Sequence, residues 1–159
     1  MLVTCAGDTY QFYTQGGESL DKTWVVPHKH LSSFTFDVSA CHDASILLAS
    51  ILGQVNSSAY EITIGAEENT KAIIRKAING RFEVVHEALV GGLVLHCDEY
   101  RIMWVGWLDG KFEAGVGTAG QDPFVSWTDT SEDFRPIQAL SFATGMDAAT
   151  WNFRQDQGQ

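Results

Sequence analysis

The chain has 159 residues, of which 45% are apolar and 19% are charged, and this composition fits a folded domain with a packed core and excludes a disordered chain. The formal net charge of -10, with ten scattered Lys and Arg residues, argues against nucleic acid and anionic lipid as partners, because both are bound by clustered basic side chains. No apolar run reaches the roughly 18 residues that span a membrane, so membrane insertion is not expected.

The cysteines and the first residues bear on the compartment. Cys5, Cys41 and Cys97 are an odd number, so one internal disulfide at most is expected and one thiol is left over. The first residues lack the basic and apolar regions of a secretory leader, so we expect a chain that either works inside cells or has been separated from its leader. Since no C-x-x-C pair and no calcium-loop motif occurs, we predict no metal.

Short β-strands are predicted from the N-terminus onward. Aromatic residues predict strands at 10–13 and 24–26. The run 34–38 alternates apolar and polar residues, as does 60–64, and alternation is typical of half-buried strands. The apolar run 44–50 predicts a buried strand. Further strands are predicted at 93–96, 124–127, 137–142 and 151–153.

Two dipeptides predict hairpin turns. Residues 67–78 have some helical character, because Ile74 and Ile78 lie four apart, but Asn79-Gly80 is a strong signal for a two-residue hairpin turn. We therefore predict a hairpin of 70–78 and 81–88. Asp109-Gly110 predicts a second hairpin, between 100–108 and 111–116.

The predicted fold is all-β. About ten short strands follow one another at a spacing of about 8 to 12 residues without a sustained helix, which is typical of an antiparallel sandwich or barrel. We predict an antiparallel, jelly-roll-like β-sandwich. Because no linker or charge run divides the chain, residues 1–159 are expected to form a single domain.

The glycine motif Gly115-x-Gly117-x-x-Gly120 matches the pattern of a dinucleotide-binding loop. That pattern binds phosphate only when a helix follows, because the phosphate lies on the helix N-terminus. Here Pro123 and a β-rich run follow instead. We interpret the glycines as residues that end a strand and form a turn, and we predict no nucleotide and no other cofactor.

A series of short motifs occurs in a characteristic order and spacing. They are Phe34 to Val38, Tyr60-Glu61-Ile62-x-Ile64-Gly65, Asn69-x-Lys71-x-x-Ile74-Arg75, Trp104-Val105-x-Trp107-x-x-Gly110, Gly115-x-Gly117, Phe124-x-x-Trp127-x-Asp129, and Thr144-Gly145 with Trp151. Together they resemble the animal domain family named after farnesoic acid O-methyltransferase, over about residues 34–153. The sequence departs at Ala72, where the family pattern has a serine.

The resemblance has two implications for function. The family name implies methyl transfer to a carboxylate, but S-adenosylmethionine is usually bound by a glycine-rich α/β site, which an all-β chain lacks. The family also occurs in secreted animal proteins beside recognition modules and looks like one used for sugar binding. This implies an extracellular location, with a soluble cytoplasmic one left open.

The leading hypothesis is a lectin without catalytic residues. A sugar site needs an aromatic plate and polar side chains, and strand-end loops supply such groups. Trp127 lies two residues from Asp129 at a strand end. The candidate sugar-binding residues are Trp127, Asp129, Asp109, Asn69, Lys71, Arg75 and Trp104.

Structural roles compete with each of these assignments. Trp127 is as well explained by core packing, and Asp109 by its position in a turn. Trp104 and Trp107 lie three apart on one predicted strand and so face opposite sides, which places one of them in the core. Lys71 and Arg75 are as well explained by a solvated face or by holding a loop carboxylate.

The expected partners are sugars or glycoconjugates. Because a single shallow sugar site is weak, we expect a homo-oligomer, either a dimer or a tetramer, that gains avidity by repeating the site. The alternatives are a carboxyl methyltransferase, as the family name says, and a non-catalytic protein-interaction domain. A hydrolase is not favoured, because the acidic pairs are adjacent in sequence and nothing places two carboxylates across a cleft.

Overall fold

The computed structural model describes residues 3–6, 9–17, 24–50, 59–92, 94–131, 134 and 136–154. They form two antiparallel sheets, which confirms the predicted all-β sandwich. The strands are β1 (Val3–Ala6), β2 (Thr9–Thr14), β3 (Trp24–Val25), β4 (Ser33–Ser39), β5 (Ala44–Ala49), β6 (Ala59–Gly65), β7 (Lys71–Ile78), β8 (Arg81–Leu89), β9 (Arg101–Gly106), β10 (Lys111–Val116), β11 (Val125–Thr128), β12 (Ala139–Thr144) and β13 (Ala149–Arg154). Short helical turns occupy Ala66–Asn69 and Leu108–Gly110.

The two sheets differ in strand order. The seven-stranded sheet has the order β1-β2-β13-β4-β9-β10-β11, and the six-stranded sheet has the order β3-β12-β5-β6-β7-β8. The last strand, β13, therefore lies inside the seven-stranded sheet, between β2 and β4. Among the described residues there is no helix with the length and apolar character that a membrane span requires.

The alternation of buried and outward side chains is clearest on β4, whereas β5, β6 and β12 are buried along most of their length. On β4, Phe34, Phe36 and Val38 are buried, while the intervening side chains point outward, as the period of two dictates. Between the sheets, Trp151 Nε1 donates a hydrogen bond to Thr14 Oγ1 at 2.9 Å. This bond satisfies the indole N–H within an otherwise apolar interior.

Both predicted hairpin turns are confirmed. Asn79 and Gly80 have positive φ angles of 51° and 80°, which is the backbone of a type I′ turn, and they join β7 to β8. Asp109 and Gly110 have φ angles of 52° and 77°, and the amide of Lys111 donates to the carbonyl of Leu108 across this turn. The hairpin at Asn79-Gly80 thus prevails over the weak helical pattern before it.

Some strand predictions are wrong. Strand β1 is absent from the predicted elements, because its four residues carry no clear alternation. Residues 94–96, predicted as part of a strand at 93–96, are not in one. The backbone of Leu95 is bound by the side chain of Asn69 rather than by a neighbouring strand. Cys41 and Cys97 form a disulfide, within the limit of one internal disulfide that three cysteines allow. The side chain of Cys5 lies outside the described residues.

Candidate functional site

A cleft of about 500 Å³ opens on the outer face of the seven-stranded sheet. Its walls come from β2, β4, β9 and β13, the four adjacent strands at the centre of that sheet. The lining residues are Thr9, Thr35, Phe36, Asp37, Ile102, Asn152, Phe153 and Arg154. Hydroxyl, carboxylate, amide and guanidinium groups therefore meet apolar surface in one place.

The strand register places four outward side chains in one row. Asp37 on β4 lies opposite Asn152 on β13 and opposite Ile102 on β9. Asn152 in turn lies opposite Gln11 on β2. A cross-strand row brings its side chains to about 5 Å from one another, so residues that are far apart in sequence form a single surface.

Asp37 has an available carboxylate in this row. Within the described part of the chain it makes no hydrogen bond or ion pair, and partial burial raises the pKa of its carboxyl. Aspartate is depleted in strands because it competes with the backbone for hydrogen bonds. Strand packing does not account for this side chain, and its two oxygens remain free to accept hydrogen bonds from a ligand.

Tyr100 borders the row. Its hydroxyl oxygen accepts a hydrogen bond from Gln11 Nε2 at 3.0 Å. Tyr100 immediately precedes β9, and β13 and β4 separate β9 from β2, so the two side chains together bridge three strand spacings, about 14 Å. Both side chains must extend across the face of the sheet to meet. The Tyr100 ring, which is 43% exposed, therefore crosses the face of the sheet next to the row, although Tyr100 is not among the residues that line the cleft.

Trp127, predicted as the aromatic plate of the site, faces the interior. It lies opposite Phe112 on β10, and its ring stacks on that of Phe112 with centroids 6.3 Å apart. A second contact joins it to Tyr60, with centroids 6.4 Å apart. Trp127 is therefore part of the packing between the two sheets.

Asp129 is buried and its oxygens are occupied. Lys76 Nζ lies 2.9 Å from Oδ2, and the hydroxyl of Tyr60 donates to the same oxygen. The amide and the hydroxyl of Ser131 donate to Oδ1. Burial raises the pKa of the Asp129 carboxyl, but the bonds from Ser131, Tyr60 and Lys76 outweigh this effect and hold its pKa well below the usual range. This carboxylate holds the two sheets together.

Asn69 differs from its predicted role as a direct contact. It is 5% exposed, and its side chain makes two hydrogen bonds to the backbone of Leu95. Nδ2 donates to the carbonyl at 2.8 Å, and Oδ1 accepts from the amide at 3.2 Å. The backbone of Asn69 has a left-handed conformation, with a φ of 65°, and asparagine tolerates this conformation better than most residues. Both polar atoms of this amide are therefore used by the backbone of Leu95, and Asn69 is not among the residues that line the cleft.

Lys71 and Arg75 lie on β7, in the six-stranded sheet and away from the cleft. Lys71 Nζ is 3.0 Å from Glu67 and 3.4 Å from Glu87. Arg75 Nη1 is 2.8 Å from Glu61. Lys71 thus holds a carboxylate of the helical turn before β7, which is the loop-carboxylate role that the sequence left open, whereas Arg75 holds a carboxylate of the neighbouring strand β6.

Trp104 is buried, in contrast to its predicted ligand contact. It is 1% exposed and lies on the outer side of β9, opposite Gly115. Trp107 follows β9 and joins the core between the sheets, so the two tryptophans face opposite sides as expected, but both are covered. Asp109 is exposed at its hairpin tip, where its positive φ fits a turn-forming role.

The disulfide lies just beyond the end of β4 that carries Ser39. His42 follows Cys41 and lies between two carboxylates, with Nδ1 2.5 Å from Asp43 and Nε2 3.2 Å from Asp147. The hydrogen bond with Asp43 is the main cause that raises the pKa of His42. Among the residues that the structure describes, no group of three or more His, Cys, Asp or Glu side chains is placed to hold a metal ion.

Asp37, Asn152 and Tyr100 are absent from the residues that the sequence predicts for the site. A usable signal existed for Asp37, because the alternation over 34–38 already assigns it an outward position in mid-strand. An aspartate there contradicts β-propensity, and such local contradictions concentrate at functional sites. No comparable local signal marks Asn152, whose place depends on the long-range pairing of β13.

Comparison with known proteins gives a family and a fold. The sequence model of the family described as farnesoic acid O-methyl transferase matches residues 7–158. No curated protein sequence matches significantly.

Solved structures of similar fold include the carbohydrate-binding module CBM66 from Bacillus subtilis, with a TM-score of 0.59, 12% identity, and coverage of 96% of this chain and 88% of that one. Chicken galectin 2 has a TM-score of 0.54 and 10% identity, with 80% and 95% covered. A Bacillus licheniformis β-glucanase has a TM-score of 0.52 and 9% identity, with 96% and 79% covered. At these identities the likeness establishes the sandwich fold alone.

Proposed function

We propose, for a chain that belongs to the farnesoic acid O-methyltransferase domain family, that it is a non-enzymatic lectin. In this proposal the sugar binds on the outer face of the seven-stranded sheet, in the cleft that contains Asp37 and Asn152. The family name describes a methyl transfer. The proposal departs from that name because the polar and apolar groups of the cleft suit a sugar.

The observation that carries the proposal is the row of Asp37 and Asn152 beside the exposed ring of Tyr100. A pyranose presents hydroxyl groups at its edge and apolar C–H bonds on its faces. The free Asp37 carboxylate accepts hydrogen bonds from hydroxyls, the Asn152 amide donates and accepts, and the aromatic ring covers a C–H face. Two of the proteins with a similar fold, CBM66 and galectin 2, are a carbohydrate-binding module and a galectin, which agrees with this use.

An enzymatic alternative has less support in the cleft. A glycosidase needs two carboxyl groups on either side of the scissile bond, and Asp37 is the one acidic residue among the described residues that line the cleft. For the methyltransferase alternative, isothermal calorimetry with S-adenosylmethionine is decisive, since a methyltransferase must bind its methyl donor. We expect no heat of binding.

A glycan array tests the lectin proposal directly. We expect the folded protein to bind a defined subset of glycans, with and without a metal chelator. The variants Asp37→Asn and Asn152→Ala should weaken binding by about tenfold or more, because each removes ligand hydrogen bonds of about 1.5 to 3 kcal/mol. Glu113→Gln is the matched control, since it removes a carboxylate from the same face on β10 and should bind as the parent does.

Two outcomes would contradict the proposal. Folded protein without binding above background on the array would favour the protein-interaction alternative. Binding that survives both Asp37→Asn and Asn152→Ala would place the sugar elsewhere on the molecule. Because one open site is weak, we also propose a dimer or tetramer, and sedimentation as a monomer at working concentration would count against it.

A further inference from the structure

We infer that residues 94–100 form a strap that positions Tyr100 beside the sugar site, and that Asn69 and the Cys41–Cys97 disulfide are its positioning residues. This inference rests on the proposed function, because it explains how one wall of the proposed site is held. None of these positioning groups lines the cleft itself.

The beginning of the strap is held by a side chain. Residues 94–100 are not part of a strand, so the backbone of Leu95 has no neighbouring strand to bind. The Asn69 amide takes that place, with one bond to the Leu95 carbonyl and one from its amide. The side chain of Leu95 is itself buried, at 1% exposure. This end of the strap is therefore fixed by both hydrogen bonds and packing.

The middle of the strap is tied to the strand that carries Asp37. Cys97 is bonded to Cys41, which follows β4 by two residues. At the end of β4, Ser39 Oγ donates to the carbonyl of Cys97 at 2.9 Å. The disulfide and this hydrogen bond thus connect the strap to β4 and to the residues that follow it. Cys41 and Ser39 both lie within four residues of Asp37.

Tyr100 follows three residues after Cys97. Its side chain is held across the sheet by the exposed hydrogen bond from Gln11. An exposed hydrogen bond between two neutral side chains is weak in water, so it cannot by itself fix a ring across three strand spacings. The ring stays in place because the strap fixes the position of the Tyr100 Cα at the start of β9. A preformed wall of this kind lowers the entropic cost of binding a ligand.

The strap also explains why Asn69 stands in the family-like motif without reaching the surface cleft. Its contribution to binding is indirect, through Leu95 and then along the strap to Tyr100. Removing the Asn69 side chain should make the Tyr100 ring more mobile without changing the positions of Asp37 and Asn152. Reduction of the disulfide should have the same effect, so the redox state of Cys41 and Cys97 is expected to control sugar affinity.

The test uses Asn69→Gly, which removes both side-chain bonds but keeps the positive φ accessible. Its partner variant is Cys41→Ser with Cys97→Ser. We expect each to weaken glycan binding by about tenfold, measured well below its melting temperature. Asn79→Ala is the control for instability, because alanine is strained at the positive φ of this position in the β7–β8 turn, and it should leave the glycan affinity unchanged.

A second readout does not need a ligand. The protein is labelled with 3-fluorotyrosine, and the ¹⁹F resonance of Tyr100 is assigned by its loss in Tyr100→Phe. We expect the Tyr100 resonance to shift or broaden in Asn69→Gly and after reduction. The resonance of Tyr60, which is buried on β6 of the six-stranded sheet, serves as the internal reference and should stay in place.

The glycan affinity and the Tyr100 resonance together distinguish a failure of the proposed function from a failure of the strap. If the parent protein binds no glycan but the Tyr100 resonance responds, the proposed function is wrong and the strap stands. An unchanged Tyr100 resonance in both variants overturns the strap, whatever the affinities are. So does a parent-like glycan affinity in both variants, because the strap would then position nothing that binding uses.

Discussion

Trp104 and Gly115 are cross-strand partners, and the indole of Trp104 fills the space that a side chain at position 115 would need. A Cβ atom at Gly115 would lie 2.6 Å from Nε1 of that indole. The first glycine of the nucleotide-like motif is thus explained by packing on the outer side of the sheet. The other two, Gly117 and Gly120, have positive φ angles in the following loop.

The first prediction concerns this contact. Gly115→Ala should lower the free energy of unfolding by about 1 to 3 kcal/mol, because overpacking forces a buried ring or its strand to move. Denaturant unfolding measures the change. Gly91→Ala is the matched control, since a Cβ there meets no atom within 4 Å. Equal stability of the two variants would contradict the packing role of Gly115.

The second prediction concerns Asp129 and acid. Its folded pKa lies below the unfolded value, so the unfolded chain binds the proton more readily. The carboxylate therefore stabilises the fold above about pH 3.9, and this contribution is lost as the pH falls below that value. Asp129→Asn should cost about 3 kcal/mol near neutral pH, because it breaks a buried ion pair with Lys76, and progressively less in acid.

Denaturant unfolding at a series of pH values checks this prediction. The exposed Asp122→Asn is the control and should keep the acid sensitivity of the parent protein. A constant stability difference between the parent and Asp129→Asn from neutral to acidic pH would show that the depressed pKa of Asp129 does not stabilise the fold.

The third prediction concerns His42, whose hydrogen bond with Asp43 raises its pKa. Because the folded pKa lies above the unfolded value of about 6.5, the stabilisation is fully present at lower pH and is lost as the pH rises through the folded pKa. The melting temperature of His42→Asn should therefore fall below that of the parent by more at about pH 5.5 than at about pH 8.5. A larger difference at the higher pH would reverse the assigned sign.

The fourth prediction separates packing from binding at Trp127. Trp127→Ala should destabilise the protein by about 2 kcal/mol or more, because it removes a large ring from contact with Phe112 and Tyr60. Glycan affinity, measured well below the melting temperature, should stay at the parent level. A loss of affinity in the folded variant would instead support the sugar-binding role that the sequence suggested for this tryptophan.

The local features of the fold were predictable because they depend on neighbouring residues. The turn at Asn79-Gly80 follows from the positive φ angles that these two residues adopt easily, and the alternation over 34–38 follows from the pleat of a strand. Strand β1 has no such internal pattern, since its place is set by its pairing with β2. Residues 94–96 look like a strand in sequence, but the Asn69 side chain, rather than a neighbouring strand, binds the backbone of Leu95.

The candidate site was less predictable because register decides it. Asp37, Asn152 and Tyr100 lie on different elements, and they become neighbours through the pairing of β13 with β4 and of β4 with β9. The sequence favoured Trp127 and Asp129 because an aromatic residue and an acid stood close together along the chain. In the structure both residues pack between the two sheets, and Asp129 binds Lys76 and Tyr60 there.

The position of β13 has a consequence for the order in which the protein assembles. Residues 149–154 lie between β2 and β4. During synthesis, the hairpin of β1 and β2 can therefore join the rest of the seven-stranded sheet only after these late residues have left the ribosome. The face with Asp37 and Asn152 is then completed last. A nascent chain that stops before residue 149 should expose one edge of β4 and the inner side of β2, and it should need chaperones until the final strand is inserted.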